Sequence, residues 1–423
     1  MLLKKFKAFY NKDGFDYSVG YVDPFGYHHT FIYMMRAFQV SGEPFKTWTY
    51  VSKIFTLICG IGVLTDACLS FYHAVDIFDM GLITEAGTYV LMLLYKMMNL
   101  IITKVNLSEY IKLMQAMKDD FQYINTKNEK YKKAFFKTQH DTFKACVVTC
   151  TFMFVLATSL VLFAIGSLLF YLATHTPGDG THKPLVFPFW APGVDYTTSP
   201  AFECAFTFAN IGVMACTYNY TFVLQTNIVW VCQIASKAEL ICMCIKDLLD
   251  GIQPACNEEE KRHYASVINF RMREIISLHQ SMNRLIDSYA CVYRKCLMFE
   301  QFVSSGVICM LAYCSAEKID AGDIHVVMMV LCVGAIVILY VPCYLCTYMR
   351  EKVTLICDAC WDIRFWDAGP NIRPYLILIM QRCLRPLPLQ APGFQEVSVK
   401  TFSSKITSAY SLFNMLRQAD LDL

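Results

Sequence analysis

The sequence is poor in charged residues, which make up only 17% of its 423 positions, whereas about 25% is usual for soluble domains. Its formal net charge is +2, so no basic surface for a nucleic-acid partner is expected. Low-complexity tracts are absent and 14% of the residues are aromatic, which excludes a disordered chain. With 56% apolar residues, this composition indicates an ordered protein embedded in a lipid bilayer.

We also expect no cleavable signal peptide, because residues 1–11 carry three lysines and no apolar core. We therefore expect the first span to act as the targeting signal. The 20 cysteines lie almost entirely in apolar runs or in segments expected in the cytosol, which predicts reduced thiols. The C-x-x-C pairs at 343–346 and 357–360 have no second ligand pair, so we expect helical side chains, no metal site and no cofactor.

Seven stretches approach the 20 or so residues that a helix needs to cross a bilayer. Three of them contain no charged residue, whereas the last is the least hydrophobic and carries Lys400 and Lys405. The sequence therefore predicts an all-α membrane protein with seven transmembrane helices. The stretches are 54–75, 82–103, 145–174, 204–236, 296–316, 326–349 and 398–416.

The distribution of basic residues predicts the orientation. Thirty lysines and arginines lie before span 1 and between spans 2 and 3, 4 and 5, and 6 and 7, against three in the other segments outside the spans. Cytoplasmic loops carry the excess of basic residues. The N-terminus is therefore expected in the cytoplasm and the C-terminus outside, opposite to a G-protein-coupled receptor.

Two connecting segments have informative compositions. The outside loop 175–200 contains five prolines among Phe187, Phe189 and Trp190, which predicts an irregular lid. The cytoplasmic segment 237–295 mixes apolar and charged residues and is expected to extend spans 4 and 5 as helices. Both a solvated amphipathic pair and an assembly platform for subunits are compatible with this pattern.

The final part of the chain carries a recognisable series of short motifs, followed by Leu416. They are Trp361–Trp366 (WDIRFW), Tyr375–Arg382 (YLILIMQR), Pro386-Leu387, Gly393-Phe394 and Ser408–Phe413 (SAYSLF). This series resembles the insect odorant receptor family in about the last 60 residues. The related gustatory receptors typically show Thr-Tyr and a later Gln-Phe in the last helix, and Tyr410-Ser411 without Gln-Phe favours the odorant branch.

The resemblance implies an odorant-gated, non-selective cation channel in sensory neurons. In that family the subunits usually form a heterotetramer with a shared co-receptor, span 7 lines the pore, and the odorant lies in the outer half of each subunit. The segment 231–296 is shorter than its co-receptor counterpart, which implies a tuning subunit. The expected regions are a cytoplasmic segment 1–46, spans 1 to 6 with the pocket in 47–349, a cytoplasmic anchor 350–396, and the pore helix and tail 397–423.

Small or polar residues on span 7 recur every three or four positions and therefore lie on one helix face. A wet face suits a pore, although small polar residues also let membrane helices pack closely. Met415 is the expected apolar constriction, and Ala419 lies just beyond it beside Gln418. The predicted stripe is Thr401, Ser404, Ser408, Ser411, Met415 and Gln418.

The ligand pocket is placed by depth from the outer ends of spans 2, 3 and 4, at 1.5 Å per residue. Its aromatic and aliphatic residues, with a few hydroxyls, suit a small volatile hydrophobic odorant, although ordinary helix packing is the alternative for each. Asn210 is the expected specificity donor because a buried amide needs partners. The predicted residues are Tyr89, Met92, Leu93, Thr158, Ser159, Leu162, Phe163, Phe206, Asn210, Val213 and Met214.

Two ionisable side chains, Asp66 and Lys96, fall within spans 1 and 2, where charge is costly. They are expected to pair with each other, or Lys96 reaches the cytoplasmic interface instead. An enzyme or transporter would want a cluster of such groups, and no phosphate loop or nucleophile elbow is found. The remaining alternatives to an odorant-gated channel are a metabotropic seven-helix chemoreceptor and a gustatory-type receptor channel.

Overall fold

The computed structural model describes residues 7, 9–12, 16, 20–40, 47–174, 183–185, 187–251, 258–322, 325–364, 372–385, 387, 389 and 396–421. Within these ranges the chain is helical, and its one extended pairing is an isolated bridge between Ala191 and Val194. The all-α expectation is confirmed. The helices are α1 Pro24–Tyr27, α2 His29–Ala37, α3 Thr47–Ile77, α4 Met80–Val105, α5 Leu107–Asn125, α6 Glu129–Thr174, α7 Ala201–Lys246, α8 Glu258–Asp320, α9 Val326–Asp362, α10 Arg373–Cys383 and α11 Val399–Leu421.

Local sequence signals set several helix ends. The Asp79 carboxylate caps α4 by accepting a hydrogen bond from the Leu82 N–H at 3.0 Å. Asp23 caps α1 in the same way through the Gly26 N–H at 3.1 Å, and Pro24 follows at the first helical position. These caps satisfy N–H groups that a helix leaves without partners at its start.

Six helices, α3, α4, α6, α7, α8 and α9, are long and apolar enough to cross a membrane. The seventh predicted span is a helix of 23 residues, α11, and its serine- and threonine-rich composition leaves it outside that group. Helices α7 and α8 have 46 and 63 residues, or about 69 and about 95 Å at 1.5 Å per residue. Both therefore project far beyond a hydrocarbon layer of about 30 Å.

These projections form a packed bundle, which we call the base, together with α2, α5, α10 and the adjoining parts of α6 and α9. We call the opposite end, at residues 187–200, the loop end. Trp230 of α7 and Tyr289 of α8 are fully buried in the largest hydrophobic core, which lies in the base. The second half of α7 is thus the centre of this bundle, and Ile234 and Ile241 on it have no exposed surface.

A chain of polar side chains runs through the base. Lys237 pairs with Asp120 at 2.9 Å and donates to the Ser281 hydroxyl at 2.6 Å. Burial raises the pKa of Asp120, whereas the Lys237 ammonium lowers it. The chain continues from Asp120 through Gln233 and Gln139 to the ring of His28. Burial lowers the pKa of His28 to about 4, so its imidazole is neutral at physiological pH.

Candidate functional site

A cavity of about 130 Å³ lies among α3, α4, α6, α7 and α9 toward the loop end. Apolar cavities of about 150 Å³ hold benzene-sized molecules. Its wall is aliphatic and aromatic, with Asp66, Ser70 and Thr217 among the few polar residues. The remaining lining residues are Val63, Ala67, Ala86, Tyr89, Met92, Leu93, Met153, Leu156, Leu160, Phe187, Pro188, Phe189, Ala209, Gly212, Val213, Cys216, Tyr220, Leu331, Gly334 and Ile338.

The loop segment 187–190 covers this cavity. Phe187, Pro188 and Phe189 line it, and the Ser70 hydroxyl donates to the Pro188 carbonyl at 3.0 Å. The Trp190 ring stacks on His73, with ring centroids 4.6 Å apart and planes 7° from parallel. The backbone N–H of Trp190 also interacts favourably with the Asp66 carboxylate. Helix α3 therefore holds the segment, which we call the lid, through three separate contacts.

Two glycines bring the walls close together. A Cβ at Gly212 would lie 2.8 Å from Cγ2 of Val63, and one at Gly334 would lie 2.9 Å from Cδ1 of Leu156. Both distances are shorter than van der Waals contact, so a larger residue at either position requires the facing side chain, or the helix that carries it, to shift. The width of the cavity thus depends on glycine at these two positions.

The eleven predicted ligand-binding residues divide between two places. Tyr89, Met92, Leu93 and Val213 line the cavity. Five others line a separate groove between α2, α3, α6 and α7, beside Tyr33, Phe55 and Tyr218. Those five are Thr158, Leu162, Phe206, Asn210 and Met214. Ser159 and Phe163 line neither, and the Asn210 amide donates to the Phe206 carbonyl at 2.8 Å.

The division follows from helix geometry. Depth along an axis does not determine which face of a helix turns inward, because each residue rotates the side chain by about 100°. On α6 the inward face carries Met153, Leu156 and Leu160, spaced by three and four residues. Leu162 lies at the predicted depth, but it is 68% exposed on another face.

Several cavity residues were outside the prediction. The depth argument covered spans 2 to 4 alone, so it omitted α3 with Val63 and Ser70 and α9 with Leu331 and Gly334. Two features of the sequence indicated other residues of the cavity wall. Phe187 and Phe189 lie in the aromatic loop that was predicted to be a lid, and Asp66 is an ionisable group within a span.

The two ionisable residues of spans 1 and 2 have separate partners. The fully buried Lys96 ammonium donates to the Cys216 sulfur at 3.3 Å, and it lies beside Gly60, where a side chain would touch it. Asp66 interacts with the backbone N–H of Trp190 in the lid instead. The pairing of Asp66 with Lys96 is therefore not found, and Lys96 does not reach an interface.

Helix α11 packs with one face against α8 and α9. Phe402, Ile406 and Ala409 lie on the packed face, and the Ser305 hydroxyl of α8 donates to the Lys405 carbonyl at 3.2 Å. Five predicted pore residues lie on the exposed face, whereas Thr401 of the predicted stripe is buried, and the side chain of Ala419 lies outside the described residues. The five are Ser404, Ser408, Ser411, Met415 and Gln418.

A family model described as "7tm Odorant receptor" matches residues 79–410. The chain belongs to the odorant receptor family. It is accordingly a multi-pass membrane receptor and not an enzyme. This confirms the family inferred from the motifs near the end of the sequence.

Individual odorant receptors share little sequence with this one. Odorant receptor 49a of Drosophila melanogaster is 20% identical over 341 residues, which cover 79% of this chain and 81% of that protein. Odorant receptor 85f of the same species is 23% identical over 175 residues, so the match spans 41% of this chain and 42% of that relative.

The fold of this odorant receptor is similar to that of olfactory receptor OR5 from the insect Machilis hrabei. The TM-score is 0.72 at 17% identity, and the likeness covers 93% of this chain and 99% of OR5. The structure of OR5 in complex with eugenol gives a TM-score of 0.68 at 18% identity. At this identity the likeness establishes the shared fold.

Proposed function

We propose that this odorant receptor is a subunit of an odorant-gated, non-selective cation channel in the plasma membrane of olfactory neurons. It assembles with a co-receptor subunit as a heterotetramer, binds a small volatile hydrophobic odorant, and conducts ions along α11. The observation that carries the proposal is the apolar cavity beneath the lid. The proposed orientation places the lid and the C-terminus outside the cell and the base in the cytoplasm.

The chemistry of the cavity supports the ligand class. A largely apolar wall stabilises a hydrophobic ligand roughly in proportion to the apolar area removed from water. Two of its polar groups are already engaged: the Tyr220 hydroxyl donates to the Met92 carbonyl at 2.7 Å, and the Ser70 hydroxyl donates to the lid. Shape and apolar contact would therefore govern selection of the odorant's hydrocarbon part.

The two faces of α11 support the pore assignment. In a chain surrounded by lipid, an exposed row of serines facing hydrocarbon would leave polar groups poorly solvated. A water-filled pore between subunits gives the same row a favourable environment. Met415 is 58% exposed on this face, so it can contribute to an apolar ring between the subunits that closes the pore by excluding water.

Contacts between α8 and α11 offer a route from ligand to pore. Arg417 near the end of α11 pairs with Asp320 at the end of α8 at 2.8 Å. Ser305 of α8 holds the middle of α11 through the Lys405 carbonyl. The ligand cavity is lined by α9, which packs against both α8 and α11, so a ligand that shifts α9 would move α11 through these attachments.

The test is whole-cell current during application of a volatile panel, in cells expressing this chain with and without a co-receptor subunit. We expect a fast inward cation current that requires the co-receptor. Met415→Ala should raise the current without odorant, because a smaller ring excludes water less well. Surface-expressed receptor that produces no current but triggers a second messenger would support the metabotropic alternative instead.

A further inference from the structure

A second, smaller chamber adjoins the ligand cavity on the side toward the base. It has a volume of about 60 Å³ and lies among α4, α7, α8 and α9. Met92, Tyr220 and Ile338 border both spaces, so the two are separated by side chains alone. Methionine has three rotatable bonds and adapts readily, which makes Met92 a movable partition.

The chamber contains a carboxyl oxygen without a hydrogen bond. Glu300 of α8 lines it and is only 6% exposed. Its Oε2 accepts from the Tyr95 hydroxyl at 2.8 Å, whereas its Oε1 is buried and has no partner among the described residues. Such an oxygen is costly to bury, so a donor that reaches it gains more than it would in water.

The other polar groups of the chamber do not fill this role. The Tyr220 hydroxyl donates to the Met92 carbonyl at 2.7 Å, and the Ser304 hydroxyl points to its own helix, toward the Gln301 carbonyl at 3.5 Å. The remaining wall is mainly aliphatic, with Val303 and Val307 on α8. The chamber thus offers one open acceptor in apolar surroundings.

We propose that the cavity and the chamber form one two-part site, in which Glu300 Oε1 accepts a hydrogen bond from a hydroxyl or amine group of the odorant. The hydrocarbon part of the same ligand occupies the larger cavity. This inference rests on the proposed function and adds a ligand class to it, namely odorants that carry a hydrogen-bond donor. Odorants with acceptors alone, such as ethers, cannot donate the proposed hydrogen bond to Oε1.

The experiment compares matched pairs of ligands that differ in the donor: primary alkanols against methyl ethers of equal atom count, and phenols against anisoles. Half-maximal concentrations for current are measured with the co-receptor present. We expect the donor member to be favoured about tenfold in the unaltered receptor, which corresponds to one good hydrogen bond. Glu300→Met should reduce this ratio to about one.

Tyr95→Phe is the matched control. It removes the partner of Oε2 and leaves Oε1 in place, so the donor preference should persist or increase. If Glu300 merely supports the structure through Tyr95, both variants would weaken all ligands alike. Val307→Phe fills the chamber from a position outside the ligand cavity, and it should remove the preference even where Glu300→Met fails to reach the surface.

The outcomes separate this inference from the proposed function. The inference would be overturned if ethers and alkanols were equally potent on the unaltered receptor, or if the preference for donors survived both Glu300→Met and Val307→Phe. Neither result would contradict the proposed channel function. A bound water that already donates to Oε1 would also abolish the donor preference and would overturn the inference in the same way. Absence of current for every pair, with receptor confirmed at the surface, would contradict both.

Discussion

The lid gives a prediction about how long an odorant stays bound. Trp190→Ala removes the ring that stacks on His73 and retains the backbone N–H that faces Asp66. Ser70→Ala removes the hydrogen bond to the Pro188 carbonyl. Each change weakens one attachment of the lid to α3, so each should let the ligand leave faster.

The magnitude follows from the contacts that are lost. A stacked aromatic pair contributes about 0.5–1.5 kcal/mol beyond the area it buries, and a typical hydrogen bond contributes about 0.5–1.5 kcal/mol. Since 1.4 kcal/mol is a factor of ten, either substitution should favour lid opening about two- to tenfold. The two sites share one short segment, so their effects in a double variant need not be additive.

The assay is the decay of current after rapid odorant washout. We expect decay about two- to tenfold faster in each variant, on the scale set by those contacts. Thr197→Ala is the control, because its hydroxyl bonds Asp195 within the same loop and does not contact the cavity. Unchanged decay in both lid variants, with odorant potency also unchanged, would refute the idea that residues 187–190 retain the ligand.

Three further predictions concern stability, each measured by thermal unfolding in detergent. Lys237→Met leaves Asp120 buried and unpaired, and should lower the free energy of unfolding by about 3–5 kcal/mol. The double variant with Asp120→Leu should recover most of that stability. An equal loss of stability in the single and the double variant would contradict the pairing. Burial holds the pKa of His28 near 4, below about 6.5 in the unfolded chain. Its stabilisation is therefore full above pH 6.5 and lost as the pH falls through 4, so His28→Gln should flatten the melting temperature between pH 7 and 5, and an unchanged slope would contradict this. Gly212→Ala should lower the free energy of unfolding by about 1–3 kcal/mol through its clash with Val63. Adding Val63→Ala should restore that stability, and no recovery in the double variant would contradict the clash as the cause.

The main features of the fold were predictable because they rest on hydrophobic length. A charge-free run such as 145–174 has few stable states other than a membrane helix. The extent of the base was harder to foresee. The sequence around Ile234 and Ile241 has an amphipathic pattern when considered alone. All sides of this part of α7 are buried because α2, α5 and α10 also pack against the base.

The depth of the cavity was predictable from the sequence, whereas the helix faces that line it were less so. Tyr89 and Val213 line the cavity, whereas Leu162 and Asn210 lie at similar depth on faces turned toward the groove. In a membrane both faces of a helix are apolar, so the pattern that distinguishes inside from outside in soluble proteins is missing. The direction of α6 is fixed by tertiary contacts such as Leu156 against Gly334.

The central claim is that the odorant binds in the cavity beneath the lid, and neighbouring residues on α7 test it most directly. Val213 lines the cavity and Met214 lines the groove, so Val213→Trp and Met214→Trp add the same ring to different spaces. Dose–response curves for odorant-evoked current should show loss of response for Val213→Trp and near-normal potency for Met214→Trp at equal surface expression. Loss of response in Met214→Trp with normal potency in Val213→Trp would contradict the account and place the ligand in the groove.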